Sequence, residues 1–151
     1  MIINEFRGKY DFLSNFYSAP VEYDELLYLN NEAAFQSAKV LDIEHRKQFC
    51  RLDPSTAKKR GRNVLLRNDW EQVKDEIMCQ IVRAKFIQNE DLRERLFATG
   101  DAILIEGNTW GDTYWGICRG RGKNMLGKIL MKVREEIGKV YYRWRILNFK
   151  G

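Results

Sequence analysis

The sequence predicts an α+β fold: one compact, mostly helical domain spanning residues 1–151, with a small sheet. Three observations carry this. A chain of 151 residues fits a single core. Apolar residues make up 44% and aromatics 13%, enough to bury that core, and the two prolines leave no Pro/Ser/Gly-rich linker. Helix-like segments cover more of the chain than the short strand-like runs. The two kinds do not alternate in a βαβ rhythm, which argues against a Rossmann architecture.

Each element has its own signal. Ile2-Ile3, Val21-Glu22-Tyr23 and Leu26–Leu29 read as short strands, with an acidic turn at Asp24-Glu25. Asn30 or Asn31 is a natural N-cap for the helix-forming run Glu32–Lys39. Asp53-Pro54 supplies a cap and a proline at the first helical position, and Gly61 ends that short helix. Asn68/Asp69 opens the clearest helix, where Trp70, Val73, Ile77, Ile81 and Ala84 make one apolar stripe. Asn89 starts another helix, with Leu92 and Leu96 facing inward and a stop at Gly100. Ala102–Ile105 is a buried strand. A last helix is predicted from about Lys123 to Ile137, closed by Gly138, and Val140, Tyr142, Trp144 and Ile146 alternate as a final strand.

Composition excludes several function classes. Cys50, Cys79 and Cys118 are odd in number and far apart, the pattern of free thiols in a reducing compartment. With His45 as the only histidine, a zinc site has too few soft ligands, so catalysis is expected without a metal ion. Magnesium carried by substrate phosphates is the one allowed exception. No cofactor is implied. No apolar run approaches the roughly 20 residues of a membrane span, and Met1–Tyr10 has no signal-peptide core. The expectation is a soluble, cytoplasmic protein with no membrane partner.

The net charge of +5 hides strong segregation. Residues 1–45 and 68–118 each carry −5, residues 46–67 carry +7, and residues 119–151 carry +8. If the basic segments meet, they make a phosphate-attracting surface beside a carboxylate-bearing one. Alone, Lys58, Lys59, Arg60 and Arg62 read first as a solvated helix face. No helix-turn-helix or zinc-finger pattern indicates a duplex-DNA reader.

Three constellations can carry chemistry. On a helix, Glu32, Phe35/Gln36 and Lys39 share a face, because seven residues make nearly two turns. The Glu32 and Lys39 Cα atoms would lie about 10 Å apart along the axis, close enough for both side chains to reach one small ligand. The same spacing is also that of two solvated charges. In residues 107–124, glycines alternate with Trp110, Tyr114 and Trp115, a poor core element and a good ligand loop. There Asp112 is either a carboxylate of shifted pKa or a turn residue, and Gly122 before Lys123 and Asn124 offers free N–H groups at a helix start. This is not a Walker A loop. Finally, Tyr10–Tyr17 is an aromatic segment, either folded on the core or lining a site.

These pieces stand in a specific order. Phe12-Leu13-Ser14-Asn15-Phe16 is followed by Glu32-x-x-Phe35-Gln36-x-x-Lys39, Ala57-Lys58-x-x-Gly61-Arg62 and Trp70-x-x-Val73-Lys74. Then come Lys85-Phe86-x-x-Asn89, Leu96-x-x-Thr99-Gly100, Glu106, Asp112-x-x-Trp115-Gly116 and Gly122-x-Asn124-x-Leu126-Gly127-x-x-Leu130-Met131. Over about residues 5–137 this series resembles the NADAR superfamily, the YbiA-like N-glycosidases.

The resemblance implies hydrolysis of an N-glycosidic bond between a phosphorylated ribose and a base or amine. The substrate would be a ribosylamino-pyrimidine phosphate of riboflavin biosynthesis, or ADP-ribose on guanine in nucleic acid. It places Glu32, Lys39 and Asp112 as catalytic groups. It also implies that Phe12, Ser14, Asn15, Phe16, Gln36, Trp70, Trp110, Trp115 and Gly116 shape the pocket, and that Lys58, Arg62, Lys123 and Asn124 contact phosphate.

The residue types suit that reaction. Breaking C1′–N builds positive charge on the ribose, which a nearby carboxylate stabilises. A neutral lysine amine can attack an opened glycosylamine as a Schiff-base nucleophile, provided burial or a neighbouring cation lowers its pKa. Two other classes stay open: a non-catalytic ADP-ribose or nucleotide-binding module, and a basic nucleic-acid-associated protein with a vestigial pocket. Base release separates the first class from both.

Overall fold

The computed structural model describes residues 1–149; residues 150 and 151, the tail of the expected 1–151 domain, lie outside the described residues. The fold is α+β and mainly helical, as predicted, with its strands divided into three two-stranded pieces. β1 (Ile2–Ile3) runs parallel to β4 (Ile103–Leu104). β2 (Ser18–Tyr23) and β3 (Leu26–Asn30) form an antiparallel hairpin with Val21 opposite Tyr28. Its turn residues Asp24 and Glu25 both adopt positive φ, 51° and 73°, the sign a type I′ turn demands. That backbone is unfavourable for non-glycine residues, and an ion pair from Arg46 Nη1 to Asp24 Oδ2 at 2.5 Å braces it.

Asn30 ends β3 and caps α1 (Asn31–Ser37), its side-chain oxygen accepting from the Ala33 N–H at 2.8 Å. Every residue of α1 is buried, so this helix is the centre of the molecule. α2 (Ile43–Lys47) is a short helix after it. α3 (Pro54–Gly61) has the predicted cap, with Asp53 accepting from the Thr56 N–H at 3.1 Å. A Cβ on Gly61 would lie 1.8 Å from Gln36 Oε1, so a bare glycine lets the end of α3 sit directly on α1.

α4 (Trp70–Gln88) is the long core helix; Trp70, Ile77 and Ile81 of the predicted stripe are buried, and Val73 and Ala84 half-buried. α5 (Glu90–Ala98) buries Leu92 and Leu96 and stops before Gly100, whose φ is 61°. β5 (Gly107–Asn108) then pairs in parallel with β6 (Ile117–Cys118).

The C-terminus departs from expectation. α6 runs from Met125 to Phe149, so it starts two residues after Lys123, and Gly138 lies inside it rather than closing it. Val140, Tyr142, Trp144 and Ile146 are helix, not strand. Their alternation was compatible with two periods, since Val133, Ile137, Val140, Trp144 and Leu147 step by four and three. A continued helix satisfies its own backbone, whereas an isolated strand needs a partner edge. Among the described residues no helix is long and apolar enough to cross a membrane.

Candidate active site

Burial of α1 sets the first half of the site. Glu32 is 8% exposed, and its Oε1 accepts from Gln36 Nε2 one turn on, at 2.8 Å. Its backbone N–H is anchored to the Asn15 carbonyl at 3.0 Å, tying the helix start to the Tyr10–Tyr17 segment. Loss of hydration pushes the Glu32 carboxyl above its usual pKa, against the pull of the Gln36 amide and of Lys58 and Lys39.

Lys39 lies just past α1, in a turn that returns its N–H to Gln36 O at 3.2 Å. The helix face expected to carry it ends at Ser37, yet the turn keeps the side chain on the Glu32 side. Its Nζ sits 3.5 Å from Gly61 O and 6.0 Å from the Trp70 ring centre. Half-burial lowers the amine's pKa; Glu32 opposes that shift, and the nearby cations Arg62 and Lys58 add to it. A neutral amine is therefore favoured here relative to an exposed lysine.

The glycine-rich loop supplies the second half. Asn108 is its clamp: Nδ2 donates to Asp112 O at 2.8 Å, and Oδ1 accepts from the Asp112 N–H at 3.0 Å. Asp112 Oδ1 in turn accepts from the N–H groups of Tyr114 and Trp115, at 3.0 and 2.9 Å. Of the two readings the sequence offered, the turn residue is the one this geometry shows, and the residue also lines the cavity.

Beside it stands Glu106, whose N–H donates to Asn124 Oδ1 at 3.0 Å and whose Oε2 is buried with no protein partner among the described residues. Desolvation, reinforced by Asp112 and Glu32, pushes the Glu106 pKa up to about 8. Its backbone leaves no room opposite: a Cβ on Gly116 would meet Glu106 O at 2.1 Å.

These groups line one cavity of about 520 Å³, in the size range of small-molecule sites. Phe35 packs between Trp70 and Trp115, with ring centres 5.0 and 5.3 Å away, and builds the aromatic wall. Lys58 stands at the mouth, 5.8 Å from the Phe16 ring and 5.9 Å from Trp110.

Of the residues expected from the sequence, Ser14, Asn15, Phe16, Glu32, Gln36, Lys39, Lys58, Trp70, Trp110, Asp112 and Trp115 meet in this cavity. Five do not line it. Phe12 is 2% exposed and packs edge-on against Phe86 in the core. Arg62 follows the end of α3 on the surface and reaches the site only through its field on Lys39. Gly116 is a close-packing position.

Lys123 is exposed, and Asn124 is buried, spanning Glu106 N and Leu104 O rather than facing a ligand. No anion site forms at that helix start. The N–H groups of Lys123, Asn124, Met125 and Leu126 already donate to the carbonyls of Thr113, Gly116, Tyr114 and Trp115.

Phe6, Arg7, Lys74, Met78, Glu106 and Tyr114 complete the lining. Of these, Glu106 and Lys74 had a sequence signal as members of the ordered motif series, and Tyr114 as an aromatic of the glycine-rich loop. Among the described residues no group of three His, Cys, Asp or Glu side chains is placed to hold a metal ion.

A buried lysine supports the site from below. Lys85 Nζ donates to the carbonyls of Phe12 at 2.6 Å and Ser14 at 3.1 Å, and burial lowers its pKa to about 7. Lys85→Met would leave both carbonyls unpaired and should cost about 1–3 kcal/mol in urea unfolding, with the loss also seen in a conservative Lys85→Arg change. Unchanged stability in Lys85→Met would contradict this role.

A helical α+β scaffold that presents carboxyl groups and a lysine of depressed basicity inside one aromatic-walled cavity defines an enzyme for small, polar-headed ligands. Residues 3–138 match the NADAR domain, and the chain belongs to that family. The N-glycosidase YbiA of Shigella flexneri is 40% identical over 142 residues, covering 90% of this chain and 88% of that protein. A riboflavin biosynthesis protein of Vibrio vulnificus is 37% identical over 130 residues, covering 83% of this chain and 35% of its own, longer one. The NMR structure of Escherichia coli YbiA superposes with a TM-score of 0.82 at 38% identity, over 93% of this chain and 87% of that one.

Proposed function

We propose that the chain is an N-glycosidase hydrolysing the bond between C1′ of a phosphorylated ribose and the nitrogen of its base, with a ribosylamino-pyrimidine phosphate as substrate. One observation carries the reading: Lys39, with its lowered pKa, shares a cavity with Glu32 and Asp112. As C1′–N breaks, the ribose gains positive charge, and the Glu32 and Asp112 carboxylates stabilise it. The Lys39 amine attacks C1′ of the opened, iminium form, and water then releases the sugar.

Trp70 and Trp115 wall the ribose and base. The phosphate falls to the cations that line the cavity, Lys58, Lys74 and Arg7, in place of Arg62 and Lys123. The names of the relatives support this choice, since they pair N-glycosidases with riboflavin biosynthesis proteins.

The test is incubation with a ribosylamino-pyrimidine phosphate and, separately, with DNA bearing ADP-ribosylated guanine, following free base by chromatography. Release from the first is expected. Release from the second alone would move the substrate to modified nucleic acid, and tight binding of either without release would make the protein a binding module.

Lys58→Ala should weaken binding of the pentose-phosphate product about ten- to hundredfold, the worth of one charge-assisted contact, with little change in kcat. Arg62→Ala should leave that binding unchanged. Calorimetric titration of both variants checks the pair, and the reverse ranking would refute the placement of phosphate at the cavity mouth.

A further inference from the structure

Glu106 lies in the same cavity as the three groups already given roles, and it differs from them in what surrounds it. Glu32 has a donor on its carboxylate, the Gln36 amide at 2.8 Å, and Lys39 and Lys58 nearby, all of which favour the ionised form. Asp112 Oδ1 takes two backbone N–H groups. Glu106 Oε2 takes none among the described residues, although it is fully buried.

Its charged neighbours come from every element around the cavity. Glu32 on α1 and Asp112 on the loop disfavour a Glu106 anion, and Lys58 on α3 is the cation that opposes them. Lys39, Lys74 and Arg7 line the remaining walls. A buried carboxyl beside two other carboxyls keeps its proton, and a protonated carboxyl with no protein acceptor is a hydrogen-bond donor awaiting a ligand. Asn124 fixes the residue's backbone from behind through the 3.0 Å bond to its N–H, which holds that donor in place.

We propose that Glu106, which lines the cavity, is the general acid of the reaction, delivering its carboxyl proton to the departing base nitrogen. The inference rests on the N-glycosidase reading above. As C1′–N cleaves, the bonding electron pair leaves with the nitrogen, which takes the Glu106 proton. Water, directly or by hydrolysis of the Lys39 adduct, supplies the hydroxyl at C1′, and its proton passes to the Glu32 or Asp112 carboxylate. Return of that proton to Glu106 through solvent resets the site, so one water is consumed and one base and one ribose phosphate are formed. The division of labour is chemical: the carboxyl groups that accept hydrogen bonds face the cation, and the group left without donors supplies the proton.

The experiment compares wild type with Glu106→Gln, a neutral isostere of the protonated form, by rate of base release between pH 6 and 10. In the wild type, activity should fall above about pH 8, where Glu106 loses its proton. In Glu106→Gln, kcat should drop roughly 10²–10⁴-fold at pH 7, that alkaline fall should vanish, and product binding should stay within about threefold.

Melting curves provide a second readout. Glu106 binds its proton more tightly folded, at about 8, than at its ordinary 4.5, so stability should fall as pH rises through that window in the wild type and fall less in Glu106→Gln. A folded Glu106→Gln that keeps wild-type turnover, or keeps the alkaline fall, overturns the assignment. If the wild type itself releases no base from any ribosyl substrate, the N-glycosidase reading has failed instead.

Discussion

Lys39→Ala should abolish base release, lowering kcat by roughly 10²–10⁴-fold, while the pentose-phosphate product still binds within about tenfold, or about 1.4 kcal/mol. The split follows from where the amine sits. Its nearest protein contacts are the long 3.5 Å approach to Gly61 O and the Trp70 face, so the fold does not depend on it. Its pKa is lowered mainly by burial, which raises the fraction of neutral, nucleophilic amine at neutral pH. The phosphate-binding cations lie elsewhere on the cavity wall. Borohydride should trap substrate on the wild-type protein and not on Lys39→Ala. Near-normal turnover by Lys39→Ala would remove the nucleophile from the mechanism and leave carboxylate chemistry alone.

The second large effect is expected from Glu32→Gln, about a 10²–10³-fold loss in kcat, because the cavity loses an anion facing the developing ribosyl cation. The pH profile distinguishes this from a packing defect. Glu32 is the charge that holds the Lys39 proton on, opposing burial, Arg62 and Lys58. Without it the Lys39 pKa falls further, so the limb where activity rises with pH should move to lower pH even as the maximum drops. A limb that stays in place, with the same loss of rate, would mean that Glu32 and Lys39 do not sense each other.

Much of the site was legible because its parts lie on short, self-announcing segments. Asn30 before a run of helix formers located α1, and the Glu32-to-Lys39 spacing located the shared face, although α1 stops at Ser37 and a turn carries the last step. Trp110, Asp112 and Trp115 were marked by glycines that no core would use.

What the sequence concealed was long-range. Nothing local tells Glu106 from any other acid after a short strand; its raised pKa depends on Glu32 and Asp112 arriving from distant segments. Asn124 looked like a phosphate contact, yet its side chain is spent on Glu106 N and Leu104 O. Phe12 and Phe16 are four residues apart in one aromatic run, and only packing against Phe86 sends the first to the core and leaves the second, 42% exposed, at the mouth. The C-terminal strand failed for another reason: aromatic and β-branched residues there favoured a strand, while the turn of α6 simply continued.

The most direct test of the central claim, cleavage of C1′–N inside this cavity, is simultaneous quantification of free base and pentose phosphate from a ribosylamino-pyrimidine phosphate, with wild-type protein in excess. Both products should appear together in equal amounts, at a rate far above the no-enzyme control, and excess pentose phosphate should slow them both. Base release at the control rate, with substrate nonetheless bound, would contradict the account.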